Sequence, residues 1–221
     1  MKKLLFASIL LWTPNLWGGE TLVNPSFIQN CLTKEAQWSV LHGAQGDDLG
    51  SAMFYYAIVY ANKYQNCVCL GSGDGFVPRV MRQAQRDLHL TNSKTILVDG
   101  ELSKWGKPSW KRKDSLFRKE YPEVEIIMDT THNVALNQAK EWEIDYLHID
   151  ADRSTMGALK DFLDYLPYMS KNGTITLHET GPGRPCAITL ELIRSQGYSA
   201  INYAALGTGV AIIKLETQRK D

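Results

Sequence analysis

Five short apolar, β-rich runs, the first four each closed by glycine or an acidic residue, alternate along the chain with stretches of helical spacing. The runs are residues 66–70, 95–98, 124–128, 144–149 and 173–177; the helical stretches are 76–88, 134–142, 156–169 and about 185–196. Such alternation predicts a mainly parallel sheet with helices wound on both faces. The end of the chain breaks the pattern. Residues 199–206 and 209–215 are both β-like, and Gly207-Thr208 between them is too short for a crossover helix, so they must pair antiparallel. The expected fold is α/β: a doubly wound Rossmann-like sheet, mostly parallel, with a C-terminal antiparallel hairpin. Residues 24–64 read as mostly helical, and 50–62 are apolar nearly all round, as for a helix wedged against a sheet.

A chain of 221 residues suits one domain and can bury its core without disulfides. The 24 basic and 24 acidic residues cancel, which disfavours a nucleic-acid-coating role. The basic run 104–119, with Trp105 and Trp110 interleaved, is expected as a solvated face between the second and third strands; a surface for an anionic substrate is the sharper alternative. Cys31, Cys67, Cys69 and Cys186 form no CxxC pair and read as small apolar residues in a reducing compartment. At the N-terminus, Lys2 and Lys3 precede the apolar stretch 4–12, followed by Pro14, Gly18 and Gly19. This has the outline of an export signal, too short to span a bilayer and with large residues, Leu16 and Trp17, near the cleavage point. The alternative is a segment that packs on the domain; no other stretch reaches membrane-spanning length.

Between the first strand and the next helix lies Gly71-Ser72-Gly73-Asp74-Gly75-Phe76. Alternate glycines permit a tight turn and close backbone approach to a ligand, and the helix start offers free N–H groups. A dinucleotide fingerprint would need a small residue where Phe76 stands, and no Lys-Ser/Thr follows to make a P-loop. The remaining reading from local pattern alone is a plain strand-to-helix turn.

The glycine loop, Asp99 after the second strand, Asp129 after the third, Ile149-Asp150-Ala151-Asp152 after the fourth and the terminal hairpin together resemble class I S-adenosylmethionine-dependent methyltransferases. The resemblance covers residues 45–215. Within that class, residues 144–154 and Leu177-His178-Glu179-Thr180 are similar to motifs of small sugar O-methyltransferases, with catechol O-methyltransferase more distant. This implies the seven-stranded methyltransferase fold over residues 45–221, preceded by an N-terminal segment, 1–44, that packs or lids. It implies that Gly71, Ser72, Gly73, Asp74, Gly75, Asp99, Asp129 and Asp150 bind S-adenosylmethionine, with Asp99 on the ribose and Asp129 near the adenine. It also implies Asp152 as general base, with His178 the alternative, and Mg²⁺ or another divalent metal on Asp150, His178 and Glu179. Three positions depart from the motif: Cys69, Arg153 and Glu179 stand where the family has an acid, a histidine and an aspartate.

Each of these residues also has a plainer structural reading. Asp99-Gly100 is a turn dipeptide, while Asp129 and the segment Asp152-Arg153-Ser154 are suited to capping helices. His148 is expected in the core, and His42, His89 and His132 carry no signal that separates them from surface. The resemblance implies methylation of a hydroxyl on a small molecule or sugar in the cytoplasm, where the cofactor is made, with a homo-oligomer compatible. Two rivals remain at this stage: a nucleotide-linked oxidoreductase, opposed by Phe76 and the hairpin, and a non-catalytic binding protein on a degenerate methyltransferase fold.

Overall fold

The computed structural model describes residues 24–71, 73–100 and 109–215. The export-like start, Ser72, Lys104, Trp105 and Lys107 lie outside the described residues. Seven strands form one sheet: β1 (Asn66–Leu70), β2 (Lys94–Val98), β3 (Glu125–Ile127), β4 (Ile144–Ile149), β5 (Met169–His178), β6 (Ala200–Tyr203) and β7 (Val210–Lys214). Their order is β3-β2-β1-β4-β5-β7-β6, with β1 to β5 parallel and β7 antiparallel to both neighbours. The sheet and its closing hairpin are those expected from the sequence.

Among the described residues, seven α-helices accompany the sheet: α1 (Pro25–Phe27), α2 (Ala52–Asn62), α3 (Phe76–Asp87), α4 (Leu116–Glu120), α5 (Thr131–Asn137), α6 (Thr155–Tyr165) and α7 (Pro185–Ser195). Strand alternation sorts them into two layers. Cys67, Cys69 and Tyr146 point to one side and pack with α2, α3 and α4 through Tyr55, Val59, Val80 and Phe117. Val68, Leu70, Leu147 and Ile149 point to the other and pack with α5, α6 and α7 through Val134, Phe162 and Leu190. Cys67, Cys69 and Cys186 are buried, as small apolar side chains, and all four cysteines are free thiols.

Several boundaries differ from the sequence-based ones. Residues 24–64 are not one helical stretch: α1 runs into a π turn, Ile28–Leu32, then a 3₁₀ helix, Gln37–His42, and α2 begins only at Ala52. Gly43, with φ +75°, ends the 3₁₀ helix in the left-handed conformation that glycine tolerates. The stretch expected as helical over 156–169 stops at Tyr165, the end of α6, because Pro167 permits only a 3₁₀ turn, Leu166–Tyr168, before β5. β5 thus starts four residues earlier than expected, with a register irregularity between Ile144 and Tyr146 on β4. Trp110 belongs to the core rather than a solvated face; it is fully buried and its carbonyl accepts from Arg118 Nε.

The N-terminal elements are tied to the glycine loop by one buried cation. Arg79, in the first turn of α3, has no exposed surface. Its Nη1 donates to the carbonyls of Cys31, Leu32 and Lys34, and its Nη2 to that of Asp74. The acceptors from 31 to 34 are carbonyls at the end of the π turn, which lack partners within it.

Candidate active site

In an open parallel sheet, ligands bind outside the carboxyl ends of the strands where the winding reverses, here between β1 and β4. The glycine loop leaves β1 at that point. Gly71 adopts φ +72°, and a Cβ there would lie 2.5 Å from the Asp150 carbonyl oxygen and 2.7 Å from the Ala151 Cα. Only glycine lets the β1 and β4 exits approach so closely. Gly75, φ +81°, passes beneath Phe117, whose Cδ1 would be 2.8 Å from an added Cβ. Asp99 and Gly100 follow β2, and Gly100 sits against the backbone of Asp129 and Thr130. The backbone N–H of Asp99 donates to Ile127 O, bringing the β2 and β3 exits together. The residues fit an extended ligand along this edge: a loop with glycine at alternate positions, then carboxylates at successive strand ends.

Not every expected contact is available as expected. Asp74 is buried, and its carboxylate accepts from Trp38 N, so it fastens the 3₁₀ helix rather than facing outward. Asp129 Oδ1 accepts from Thr130 N and Asn133 Nδ2, while Thr130 itself caps α5. Asp152 takes the helix-cap geometry: it is exposed, and its Oδ1 accepts from Ser154 N, which precedes α6. The chain leaves strand geometry after Ile149, so the alternation that would have placed Asp152 beside Asp150 does not continue. Glu179 is held by two arginines, with Arg153 Nη1 at 3.1 Å and Arg184 Nη1 at 3.8 Å. It stands apart from the expected metal set.

What gathers instead is a group of Asp150, His178 and His42. Alternation on β4 and β5 turns His148, Asp150, Thr176 and His178 to the side covered by α2 and the 3₁₀ helix. His42, the last residue of that 3₁₀ helix, drops onto them. Its ring stacks on His178 with centroids 3.9 Å apart and planes 18° apart. His178 Nδ1 lies 3.2 Å from Asp150 Oδ1, and His42 Nε2 lies 3.8 Å from Asp150 Oδ2. Both histidines are buried, while the Asp150 side chain keeps 15% of its surface open. His148, expected in the core, is there: its Nδ1 meets Thr176 Oγ1 and it is fully buried.

The electrostatics separate these groups. Burial, reinforced by His178, His148 and Arg153, holds the His42 ring well below the ordinary histidine range, so it is neutral. Burial likewise brings His148 down to about 3. For Asp150, burial pushes the carboxyl up, but His178, His148 and Arg153 outweigh it, and the group stays below the usual carboxylate range. Asp150 is thus an anion beside a neutral ring.

The donor set bears on the expected metal. Mg²⁺ takes oxygen ligands in near-octahedral geometry. Here one carboxylate meets two imidazoles, with Glu179 occupied elsewhere. That set does not fit Mg²⁺. His42 was the member missed from sequence, since its position depends on contacts remote in the chain. The available signal was His42-Gly43 together with Gly50 and Gly207, glycines at which an added Cβ would collide with the carbonyls of His42 and Leu41.

A β3-β2-β1-β4-β5-β7-β6 sheet with a glycine loop after β1 and acids at the next strand ends is the architecture of class I methyltransferases. A protein-family model described as a methyltransferase domain matches residues 68–180, just over half of the chain. The chain belongs to this family, as a class I S-adenosylmethionine-dependent methyltransferase. Solved structures share the fold. An O-methyltransferase from Bacillus cereus in complex with S-adenosylhomocysteine is 14% identical with a TM-score of 0.61, covering 91% of this chain and 94% of that one. The O-methyltransferase TomG from Streptomyces achromogenes, involved in tomaymycin synthesis and in complex with S-adenosylmethionine, is 13% identical with a TM-score of 0.60, covering 85% and 90%. An S-adenosylhomocysteine-bound methyltransferase from Podospora anserina is 17% identical with a TM-score of 0.60, covering 85% and 88%. Among curated proteins no match is found. Among the described residues, no helix is long and apolar enough to cross a membrane.

Proposed function

We propose that this protein methylates a hydroxyl of a small molecule or sugar, with the acceptor's oxygen presented to the Asp150 group. The observation that carries this reading is a half-buried anionic carboxylate backed by two buried imidazoles at the β4 and β5 exits, beside the glycine loop. A hydroxyl needs help to lose its proton, and such a group supplies it; an amine nucleophile would need less. The fold also matches solved structures of O-methyltransferases.

Bound S-adenosylmethionine would supply an electrophilic methyl on its sulfonium. The backbone at Gly71, Gly73 and Gly75 would let the cofactor approach, and the Asp99 carboxylate would accept from its ribose hydroxyls in charge-assisted bonds. The open part of Asp150 would bind and orient the acceptor, with the two buried rings fixing that carboxylate from behind, which turns a bimolecular attack into a positioned one. The cytoplasm is the proposed location, since the cofactor is made there; N-terminal sequencing of native protein starting near residue 19 or 20 would refute it.

Calorimetry with S-adenosylhomocysteine and with NAD tests the cofactor, and a one-methyl mass shift in a fractionated extract finds the acceptor. Asp150→Asn should slow methyl transfer by about 10²–10⁴-fold, by more than it weakens S-adenosylhomocysteine. Asp152→Ala should retain the rate. The reverse pattern would return the role of base to Asp152.

A further inference from the structure

The strand exits carry a cation, Arg184, that the methyl-transfer reading leaves unused. It precedes α7 in the turn 181–184, whose backbone is anchored from several directions. Gly181 N donates to the Thr208 carbonyl of the hairpin, and Arg184 N donates to the Gly181 carbonyl. A Cβ at Gly181 would lie 2.7 Å from that Thr208 oxygen, so the turn is pressed against the hairpin. Pro185 then sets the start of α7, and Thr155 Oγ1 donates to the Pro185 carbonyl, which joins the turn to α6. The backbone of Arg184 is therefore held in place, while its side chain is exposed.

The ionic surroundings of that side chain do not exhaust it. Glu179 has one negative charge and two cationic neighbours. Its Oε1 accepts from Arg153 Nη1 at 3.1 Å, a hydrogen bond between side chains 8% and 22% exposed. Arg184 Nη1 stays 3.8 Å from Oε2, beyond hydrogen-bond distance, with its side chain 46% exposed. Among the described residues its guanidinium makes no hydrogen bond. Asp152, an exposed acid of the same region, is turned onto α6, where it accepts from Ser154 N and lies against Gly157. One carboxylate neutralises one guanidinium, so the trio of Glu179, Arg153 and Arg184 keeps a positive charge. The N–H donors of Arg184 remain for a ligand.

This trio borders the carboxylate assigned to the acceptor. Glu179 directly follows His178, whose Nδ1 lies 3.2 Å from Asp150 Oδ1, and consecutive Cα atoms are about 3.8 Å apart. Cys186, in the first turn of α7, has its thiol pushed up to about 12 by burial first and by Asp150 and Glu179 next, which sets that turn against both carboxylates. We propose that Arg184 is a specificity-determining residue that receives an anionic group of the acceptor, a carboxylate or a phosphate, while the acceptor's hydroxyl meets Asp150. The proposal rests on the methyl-transfer reading and narrows it to acidic acceptors. The guanidinium fork suits the paired oxygens of carboxylate and phosphate better than neutral hydroxyls. Glu179 keeps Arg184 at the exits without consuming its donors. An acidic acceptor bound the other way round would press its anion on Asp150, so the two charges also select the orientation.

The test uses the full-length protein, isotope-labelled S-adenosylmethionine and a small-molecule extract of the native host separated by anion exchange. Methyl acceptance should be found in fractions that the column retains and salt releases. Acceptance at least as strong in the unretained fraction would overturn the proposal. Phosphatase treatment that abolishes retention assigns a phosphate; carbodiimide amidation that abolishes it assigns a carboxylate. On the retained acceptor, Arg184→Gln should raise KM by at least about 10-fold, the value of charge-assisted hydrogen bonds, with kcat changed much less. Arg184→Lys should recover part of that loss, because it keeps the charge without the fork. Calorimetry should find S-adenosylhomocysteine affinity in both variants near that of the parent, since Glu179 keeps its bond to Arg153. An unmoved KM in Arg184→Gln would overturn the proposal. Absence of methylated product in every fraction sinks the methyl-transfer reading and this one with it, whereas transfer to neutral acceptors sinks this one alone.

Discussion

Replacing Arg79 with methionine tests whether the N-terminal elements and the glycine loop form one unit. The guanidinium holds four carbonyls, at 2.7 Å for Lys34, 3.1 Å for Cys31 and 3.2 Å for Leu32 and Asp74. Methionine keeps much of the length and the packing under Phe117 but donates to none of them. Lys34 is exposed and Cys31 half-buried, so water can reach those carbonyls; Leu32 and Asp74 are buried. Two buried acceptors left without donors cost roughly 1–3 kcal/mol each. Part of this returns, because burial already disfavours the charged arginine and lowers its pKa. The net loss should be about 2–4 kcal/mol.

At about 2–4 °C per kcal/mol for a chain of this length, the melting temperature should fall by roughly 4–16 °C. Urea unfolding gives the free energy and calorimetry the S-adenosylhomocysteine affinity. That affinity should fall too, because the Asp74 carbonyl lies in the glycine loop and loses its tether. Arg79→Lys should fall between, since one ammonium cannot reach all four acceptors. A loss under about 1 kcal/mol with unchanged cofactor affinity would show that the two regions are held together by apolar packing alone, and the reasoning from hydrogen bonds would fail.

Three further outcomes are expected. Gly71→Ala places a methyl 2.5 Å from the Asp150 carbonyl oxygen at φ +72°, and should cost about 2–4 kcal/mol in urea unfolding while abolishing S-adenosylhomocysteine binding; normal binding would remove the loop from the cofactor site. Asp99→Asn should leave the melting temperature nearly unchanged and weaken S-adenosylhomocysteine by about 10–100-fold in calorimetry, the value of charge-assisted bonds to two hydroxyls. Asp161 is buried, and burial, with Asp152 and Asp164 nearby, raises its carboxyl from 3.8 to about 7. The folded state then holds a proton that the unfolded state releases, so stability falls as pH rises from about 4 to 7. Asp161→Asn should therefore be more stable than the parent at pH 8, by about 1–3 kcal/mol, with no such gain at pH 4; parallel melting curves at both pH values would contradict this.

The sheet could be read from sequence because each parallel strand carries its own β-rich run, and the first four are followed by glycine or an acid where the chain must turn. The hairpin was equally legible, since Gly207-Thr208-Gly209 leaves no room for a crossover. Helix ends were harder where local rules compete; Pro167 ends α6 early and frees residues that β5 then recruits. His42 was not legible at all. Its place beside His178, more than a hundred residues away, requires Gly43, Gly50 and Gly207 to let three backbone segments touch, and no periodicity records such an encounter. Arg79 left a fainter trace, a lone cation in the apolar stretch Phe76-Val77-Pro78-Arg79-Val80-Met81.

The departures at Arg153 and Glu179 carry a different lesson. Taken singly, an arginine for histidine and a glutamate for aspartate each weaken the family motif. In the fold they meet at 3.1 Å, with the Glu179 carboxylate only 8% exposed and Arg184 on its other oxygen. The longer acid reaches a cation that the histidine position now supplies. Glu179 also takes φ +58°, a strained backbone for a residue with a side chain, which the ion pairs offset. The two substitutions are therefore one change: they withdraw a carboxylate from the strand exit and spend it on structure. An exit with one fewer oxygen ligand has less to offer Mg²⁺, which takes oxygen in near-octahedral geometry.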